Sequence, residues 1–312
     1  MFYGAIGATF LSMSAYAAEP VPYLNLPATS YGPAVDGFNG KVETFGGVIS
    51  NRSIAGQQGA LSFPLAGPLG LQIDSAYGSL DNRGFGNIAG HLFWRNPVQG
   101  LIGIYTSHTL WDQYGGAYVG QVAGEAEYYS GHFTFQGIAG VEFGNSASST
   151  FSSTSIVAPG PLPFGVPGVI TTSTATSMFD VRTRFFDQVN FKYYFTDNWD
   201  GYIGHRYLGG KNALALGSEY AIPLASRFQV SAFVEGRVGE GNFNGVWGGL
   251  KFYFGQKDKP LIARQRQDDP NIWSADSLFS IVNSLTNSSS SSSSQFCSGQ
   301  TPFNNGTCEN SF

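Results

Sequence analysis

Between Phe228 and Arg237 the chain alternates: Phe228, Val230, Ala232 and Val234 fall on one face, Gln229, Ser231, Glu235 and Arg237 on the other. A period of two is that of a strand with one apolar and one polar face. The pattern recurs. Val189, Phe191, Tyr193 and Phe195 oppose Gln188, Asn190 and Lys192, and Phe133, Phe135, Ala139, Val141 and Phe143 oppose Thr134, Gln136 and Glu142. In "NGVWGGLKFYFG" (244–255), Leu250, Phe252 and Phe254 face one way, Lys251 and Tyr253 the other. Segments of this kind are expected at 41–50, 58–65, 69–79, 84–95, 99–108, 115–127, 131–144, 178–195, 199–207, 212–222, 226–238 and 244–255, about twelve antiparallel strands.

Alternation also suits a soluble sandwich, so composition decides between them. Charged residues make up only 12% of the chain, against about 25% in a soluble domain. No run of uncharged apolar residues reaches the ~18 that a spanning helix needs. A sheet closed on itself in lipid reconciles these facts, because closure satisfies every backbone hydrogen bond without an apolar helix. Aromatics crowd the strand ends beside short turns, at Trp94, Tyr128, Tyr129, Phe195 and Trp199, where headgroup girdles sit. The expected fold is all-β: a transmembrane up-and-down barrel over 41–255, with tight turns such as "AGP" (66–68) and "TDN" (196–198) at one end. The other end carries looser connections, read at "NRSIAGQ", "LDNRG" and a long loop at 145–177.

The flanks divide into three. Residues 1–17 read as a signal peptide, an apolar stretch followed by a small-x-small site at Ala15-Tyr16-Ala17. Residues 18–40 form a Pro-rich periplasmic lead. Residues 256–312 read as a flexible periplasmic tail, with a plug or a peptidoglycan-contacting segment as the alternative. Within the tail, 274–287 suggests a short helix capped by Ser274, with Leu278, Ile281, Val282 and Leu285 on one side; a serine run (288–294) follows. Cys297 and Cys308, the only cysteines, are expected to form a local disulfide in an exported chain.

The segment "WGGLKFYF" resembles the closing-strand signal of Gram-negative outer-membrane proteins, with Gly249, Phe252 and Phe254 in the matching places and Trp247 where the family usually has a polar residue. That signal usually ends the chain; here 57 residues follow. The whole of 41–255 is similar to a proteobacterial outer-membrane barrel of the small-porin type. The resemblance is architectural and assigns no substrate; it implies outer-membrane lipid and the barrel-assembly machinery as partners, and the expected function is a small porin-like channel for passive diffusion of small polar solutes. A non-conducting surface-interaction barrel acting through 145–177 is the alternative.

The polar face would line the lumen with both signs of charge: Glu43, Asp74, Glu125, Glu142, Glu219 and Glu235 against Arg95, Arg182, Arg184, Lys192, Arg206, Arg237 and Lys251, with His91 among them. Two pairings are expected, Glu142 with Arg182 and Arg184 at the outer mouth and Lys251 with Glu43 where the sheet closes. No carboxylate is expected opposite His91. Ser107 and His108 are neighbours in one strand and point to opposite faces, so no catalytic pair, cofactor or metal site is read and no enzyme is expected. A net charge of -5 without a Lys/Arg cluster speaks against a nucleic-acid partner.

Overall fold

A computed structural model describes residues 32–157, 168–222, 228–255, 259–296, 301–302 and 308–309. The signal-peptide region and most of the lead lie outside the described residues, as does Cys297 of the expected disulfide.

Twelve strands close into a barrel. They are β1 (Asn39–Ile49), β2 (Arg52–Ala66), β3 (Leu69–Leu80), β4 (Arg83–Asn96), β5 (Gly100–Trp111), β6 (Ala117–Ser130), β7 (Phe133–Gly144), β10 (Arg184–Thr196), β11 (Trp199–Leu208), β12 (Lys211–Ile222), β13 (Phe228–Gly239) and β14 (Asn244–Phe254). Each pairs antiparallel with its neighbours, and β1 pairs with β14 from Gly40↔Phe254 to Ile49↔Gly245. Lys251 stands directly opposite Glu43 in that seam.

The faces are inverted relative to a soluble protein. Along β5, Leu101, Tyr105, Ser107 and Thr109 are buried, while Ile102, Ile104 and Leu110 are each more than half exposed. Gln72, Asp74, His91, Arg95, Gln121 and Gln188 are fully buried. Greasy side chains outward and charges inward make sense only where the surroundings are hydrocarbon. Rings form a continuous belt at the short-turn end: Phe133 lies 4.8 Å from Tyr193, Tyr193 5.2 Å from Phe195, and Phe195 4.7 Å from Trp199.

Two connections expected to be loose are tight. Ser50 and Asn51 (φ 50° and 61°) and Asp81 and Asn82 (φ 55° and 59°) occupy the left-handed region at both turn positions. This is the two-residue hairpin geometry that Asn and Asp tolerate. The long connection is no irregular loop either. It folds into β8 (Ser146–Val157) and β9 (Gly168–Asp180), a hairpin outside the barrel sheet.

The C-terminal part runs through the barrel. After β14, α1 (Leu261–Gln267) lies at the short-turn end, where Ile262 N donates to Asp197 O at 3.0 Å and Leu261 N to Asn198 Oδ1 at 3.1 Å. A 3₁₀ turn (Ser274–Asp276) and α2 (Ser277–Asn283) carry the chain to the opposite end, where Asn283 Nδ2 donates to Leu208 O at 3.0 Å. There β15 (Leu285–Phe296) emerges and pairs with β9, Leu285↔Phe179 through Phe296↔Gly168. The flexible periplasmic tail expected over 256–312 is therefore, across residues 259–284, a buried segment inside the barrel. Ser274 opens the 3₁₀ turn without capping it by its side chain.

Leu250, at the middle of β14 and facing out, places this inversion under test. Replacing it by Lys is expected to cost ~2–4 kcal/mol of stability, as cations do on the lipid face near the bilayer midplane. Urea unfolding from lipid vesicles reads this directly; a loss below ~1 kcal/mol would place position 250 outside hydrocarbon.

Candidate functional site

The lumen wall carries the charges expected from alternation, and the tail meets them. Three levels of contact succeed one another along the barrel axis. At the short-turn end, Arg95 Nη1 donates to Gln267 O at 2.7 Å and Arg266 Nη2 to Phe133 O at 2.7 Å. Lys259 bridges Asp36 (3.1 Å) and Asp268 (2.9 Å), tying the tail to the chain before β1.

Midway, Lys41 Nζ and Gln72 Nε2 both donate to Pro270 O at 3.3 Å. Proline cannot donate a backbone hydrogen bond, but its carbonyl accepts two here. Lys192 Nζ donates to Gln265 Oε1 at 2.7 Å and lies 3.6 Å from Asp200. Lys251 lies 3.4 Å from Glu43 and 3.0 Å from Glu219, so the expected seam pair forms and gains a second acid.

Toward the hairpin end, Asp276 is clamped by two arginines. Arg206 Nε donates to it at 2.7 Å, and Arg237 donates through Nε at 2.9 Å and Nη2 at 2.8 Å. Glu235 lies 3.0 Å from the same Arg237. Thr109 and Ser277 hydroxyls meet at 2.6 Å, and Ser280 Oγ donates to Glu142 at 2.5 Å. Above these, the Phe279 ring packs tilted against Phe243 with centroids 4.7 Å apart, and Leu278, Ile281 and Val282 are buried with it. The apolar helix side anticipated at 278, 281 and 282 thus seals the upper lumen.

The wall residues fall into place unevenly. Glu43, Asp74, His91, Arg95, Glu125, Glu142, Lys192, Arg206, Glu219 and Arg237 are buried inward, with Arg184, Glu235 and Lys251 partly so. Arg184 lies 3.5 Å from Glu142, as expected. Arg182 does not line the lumen: it sits outside the barrel sheet, exposed, 2.6 Å from Asp180. Hydrogen bonds from Arg182 and then Ser146 hold the Asp180 carboxyl below the ordinary aspartate range. The reason for the displacement is that strand order resumes only at Arg184, leaving 181–183 as a connection above the rim.

His91 corrects a second expectation. Its Nε2 lies 3.0 Å from Asp74 and its Nδ1 2.8 Å from Glu125. Asp74 is a diagonal neighbour on β3, beside the directly opposed Gln72. Glu125 belongs to β6, beyond β5, and reaches His91 over Gly103. A Cβ on Gly103 would sit 2.9 Å from Glu125 Oε1 and 2.8 Å from Phe93 Cβ, too close for any side chain. The absence of a side chain there opens the passage. A glycine at an inward strand position was the readable signal, but not which acid it admitted.

Cavities of about 20 Å³ and 50 Å³ flank the tail, the first lined by Phe45, Phe85, Trp247 and Phe279, the second by Lys41, Glu43, Lys192, Lys251 and Gln265. Volumes of this order hold one or a few waters. Among the described residues no group of three or more His, Cys, Asp or Glu could hold a metal ion.

A closed sheet with an apolar exterior, an aromatic belt and a charged interior defines the class: an outer-membrane β-barrel protein. No known family model matches the chain, and no curated protein matches it. Solved structures similar to it include an outer membrane channel from Pseudomonas putida F1 (11% identity, 76% of this chain and 99% of that one, TM-score 0.42). The toluene transporter TbuX of Ralstonia pickettii (9%, 72% and 92%, TM-score 0.33) and the beta domain of the Bordetella autotransporter BrkA (13%, 70% and 99%, TM-score 0.35) are others. At these identities none of them lends this chain a cargo.

Asp276 gives the sharpest test of the tail's seating. Asp276→Ala leaves the buried Arg206 without its acid and Arg237 with Glu235 alone, and is expected to cost ~3–5 kcal/mol. Replacing Arg206 and Arg237 by Met in the same variant should recover most of that loss. The urea midpoint in vesicles measures both; an Asp276→Ala protein as stable as the parent would mean the clamp is not formed.

Proposed function

We propose that the protein is a self-plugged, non-conducting barrel that carries its own C-terminal segment across the outer membrane and presents a sheet outside. Exported by residues 1–17 and inserted by the assembly machinery through the "WGGLKFYF" strand, it acts as a surface-interaction barrel in preference to a small-solute porin. The observation that carries this reading is the clamp of Asp276 by Arg206 and Arg237, with cavities of about 20 and 50 Å³ beside the tail. A hydrated solute needs a continuous wet path, and these spaces are an order of magnitude below the ~300 Å³ of a small-molecule site.

Orientation follows from the hairpin. Short turns face the periplasm in such barrels and longer elements face outward. The end bearing β8 and β9 is therefore read as the cell surface, and β15 joins them there. No enzyme is part of this reading: both ring nitrogens of His91 are committed to carboxylates, which supports a structural role for it.

A gated channel is the second reading, favoured by the polarity of the tail's seat. Lys41, Gln72, Glu43 and Lys192 would line a wet passage if residues 259–284 left it.

Two measurements decide. With Cys297 and Cys308 replaced by Ser, a Ser290→Cys variant should react with a membrane-impermeant maleimide on intact cells. A tail left in the periplasm would be shielded, and absence of labelling overturns the proposal. In planar bilayers the full chain should give no conductance steps, whereas a chain ending at 258 should conduct. Steady steps from the full chain would restore the porin reading.

A further inference from the structure

On the lipid-facing wall, neighbouring strands carry small residues among large ones. Gly201 of β11 lies between Trp199 and Ile203, Ser218 of β12 between Leu216 and Tyr220, and Gly236 of β13 between Val234 and Val238. The large members are all exposed, so by alternation the small ones share their outward side. Gly201 pairs with Ser218, and Ser218 in turn with Val234, two places along β13 from Gly236. Here the wall is recessed into a groove of about 750 Å³, lined by Phe195, Trp199, Ile203, Leu216, Val234 and Val246. Small-molecule sites occupy ~300–1,000 Å³.

The backbone does not demand a glycine at 236. An added Cβ would meet only Gly245 O, at 3.6 Å, an ordinary contact, whereas at Gly140 or Gly249 it would strike a carbonyl oxygen of the next strand. Gly236 leaves open a space that a side chain could fill. Nor does the groove offer a polar ligand anything. Trp199 Nε1 donates to Ser218 Oγ at 3.1 Å, and Ser218 Oγ donates to Asp200 O at 2.8 Å. Tyr202 and Glu235 border the groove, but Arg237 holds both, its Nη1 donating to the Tyr202 hydroxyl at 3.2 Å and its Nη2 lying 3.0 Å from Glu235.

The lining is therefore hydrocarbon, and so is what surrounds it. Within a bilayer, apolar burial no longer favours protein over lipid, so van der Waals packing decides what stays in place. An acyl chain on a smooth wall touches protein on one side; in a groove it touches the floor and both flanks. The groove also has a direction. Phe195 and Trp199 belong to the aromatic belt at the short-turn end, where rings sit at headgroup level. The lining passes from them through Ile203 and Leu216 to Val246. A tail entering at the belt runs into the membrane, as a lipid tail does.

We propose that this groove is a binding site for one acyl chain of a glycerophospholipid from the periplasmic leaflet, retained instead of exchanging with the bulk bilayer. The choice of leaflet rests on the surface-display reading, which puts the short-turn end in the periplasm; the groove depends on the barrel alone.

Native mass spectrometry of the full chain, extracted from outer membranes in mild detergent, tests the site. The parent should carry one phospholipid. Gly236→Leu should lower the lipid-bound fraction about tenfold, as overpacking does to a filled space; Gly236→Ala, which adds one methyl, should lower it far less. Gly124, exposed on β6 with nothing within 4 Å of an added Cβ, supplies the control, and Gly124→Leu should hold lipid like the parent. Heat-modifiable gel mobility shows that each barrel is folded, and Gly236→Val replaces the Leu variant if that one is not. A parent without lipid, equal retention in the parent and the filled variant, or equal loss in Gly124→Leu overturns the site. A retained lipopolysaccharide overturns the leaflet. Maleimide labelling of Ser290→Cys on intact cells, read separately, shows whether the display reading has failed with it or stands alone.

Discussion

Everything in this molecule answers to the exclusion of water from the outside of a closed sheet. Once Ile102, Ile104, Leu250 and their like face lipid, alternation drives every second residue into the lumen, and the charges go with it. A twelve-stranded barrel is wider than the eight-stranded kind that side chains fill and narrower than the porins that hold open water. Ionised groups in that intermediate space need either water or partners. Here they find partners, partly on the wall, as in Lys251 between Glu43 and Glu219, and partly on the chain's own tail.

The tail is matched to the wall level by level. Where the wall offers cations, at Arg206 and Arg237, the tail brings Asp276; where it offers amide and ammonium donors, at Gln72 and Lys41, it brings the Pro270 carbonyl. Where Phe243 and Trp247 turn inward, the tail presents Phe279. Polar seats of this kind supply geometry more than net stability, since a buried ion pair gives back much of its Coulomb energy as desolvation. In the axial position it holds, the tail satisfies all three levels at once. That position also sets the register of β15, whose run of identical serines could not fix it unaided.

Much of this was legible in the residues. Alternation in 226–238 and 244–255 located the strands, the inward face and the Lys251–Glu43 seam, because period and antiparallel order are local properties. Glu142 with Arg184 was legible for the same reason, as the flanks of one connection. Arg182 was not, since the two-residue step that removes it from the wall depends on where pairing resumes. Asp74 and Glu125 around His91 escaped because the contact crosses a whole strand at Gly103. The partners of Asp276 lie 39 and 70 residues away in the chain, joined only through closure of the sheet, so no window along the sequence contains them. The seryl and threonyl stretches read as loop because clusters of Ser and Thr between periodic segments signal a connection; the ladder between β8 and β9 overrides that signal.

Threading constrains the order of assembly. The segment 259–284 lies inside the closed sheet while β15 pairs beyond its far end, so the tail cannot take its place from the side once β1 and β14 have met along ten register pairs from Gly40↔Phe254 to Ile49↔Gly245. Either the sheet closes around the tail or the tail passes end-first through a finished barrel. The second route would draw an uncharged serine strand through a lumen lined by Lys41, Arg95, Arg206 and Arg237 before the tail's Asp276 had reached Arg206 and Arg237. The first lets the acids of the tail neutralise the wall while water still surrounds it. Burial of those charges then follows their pairing, which is the order that avoids a dry, uncompensated lumen.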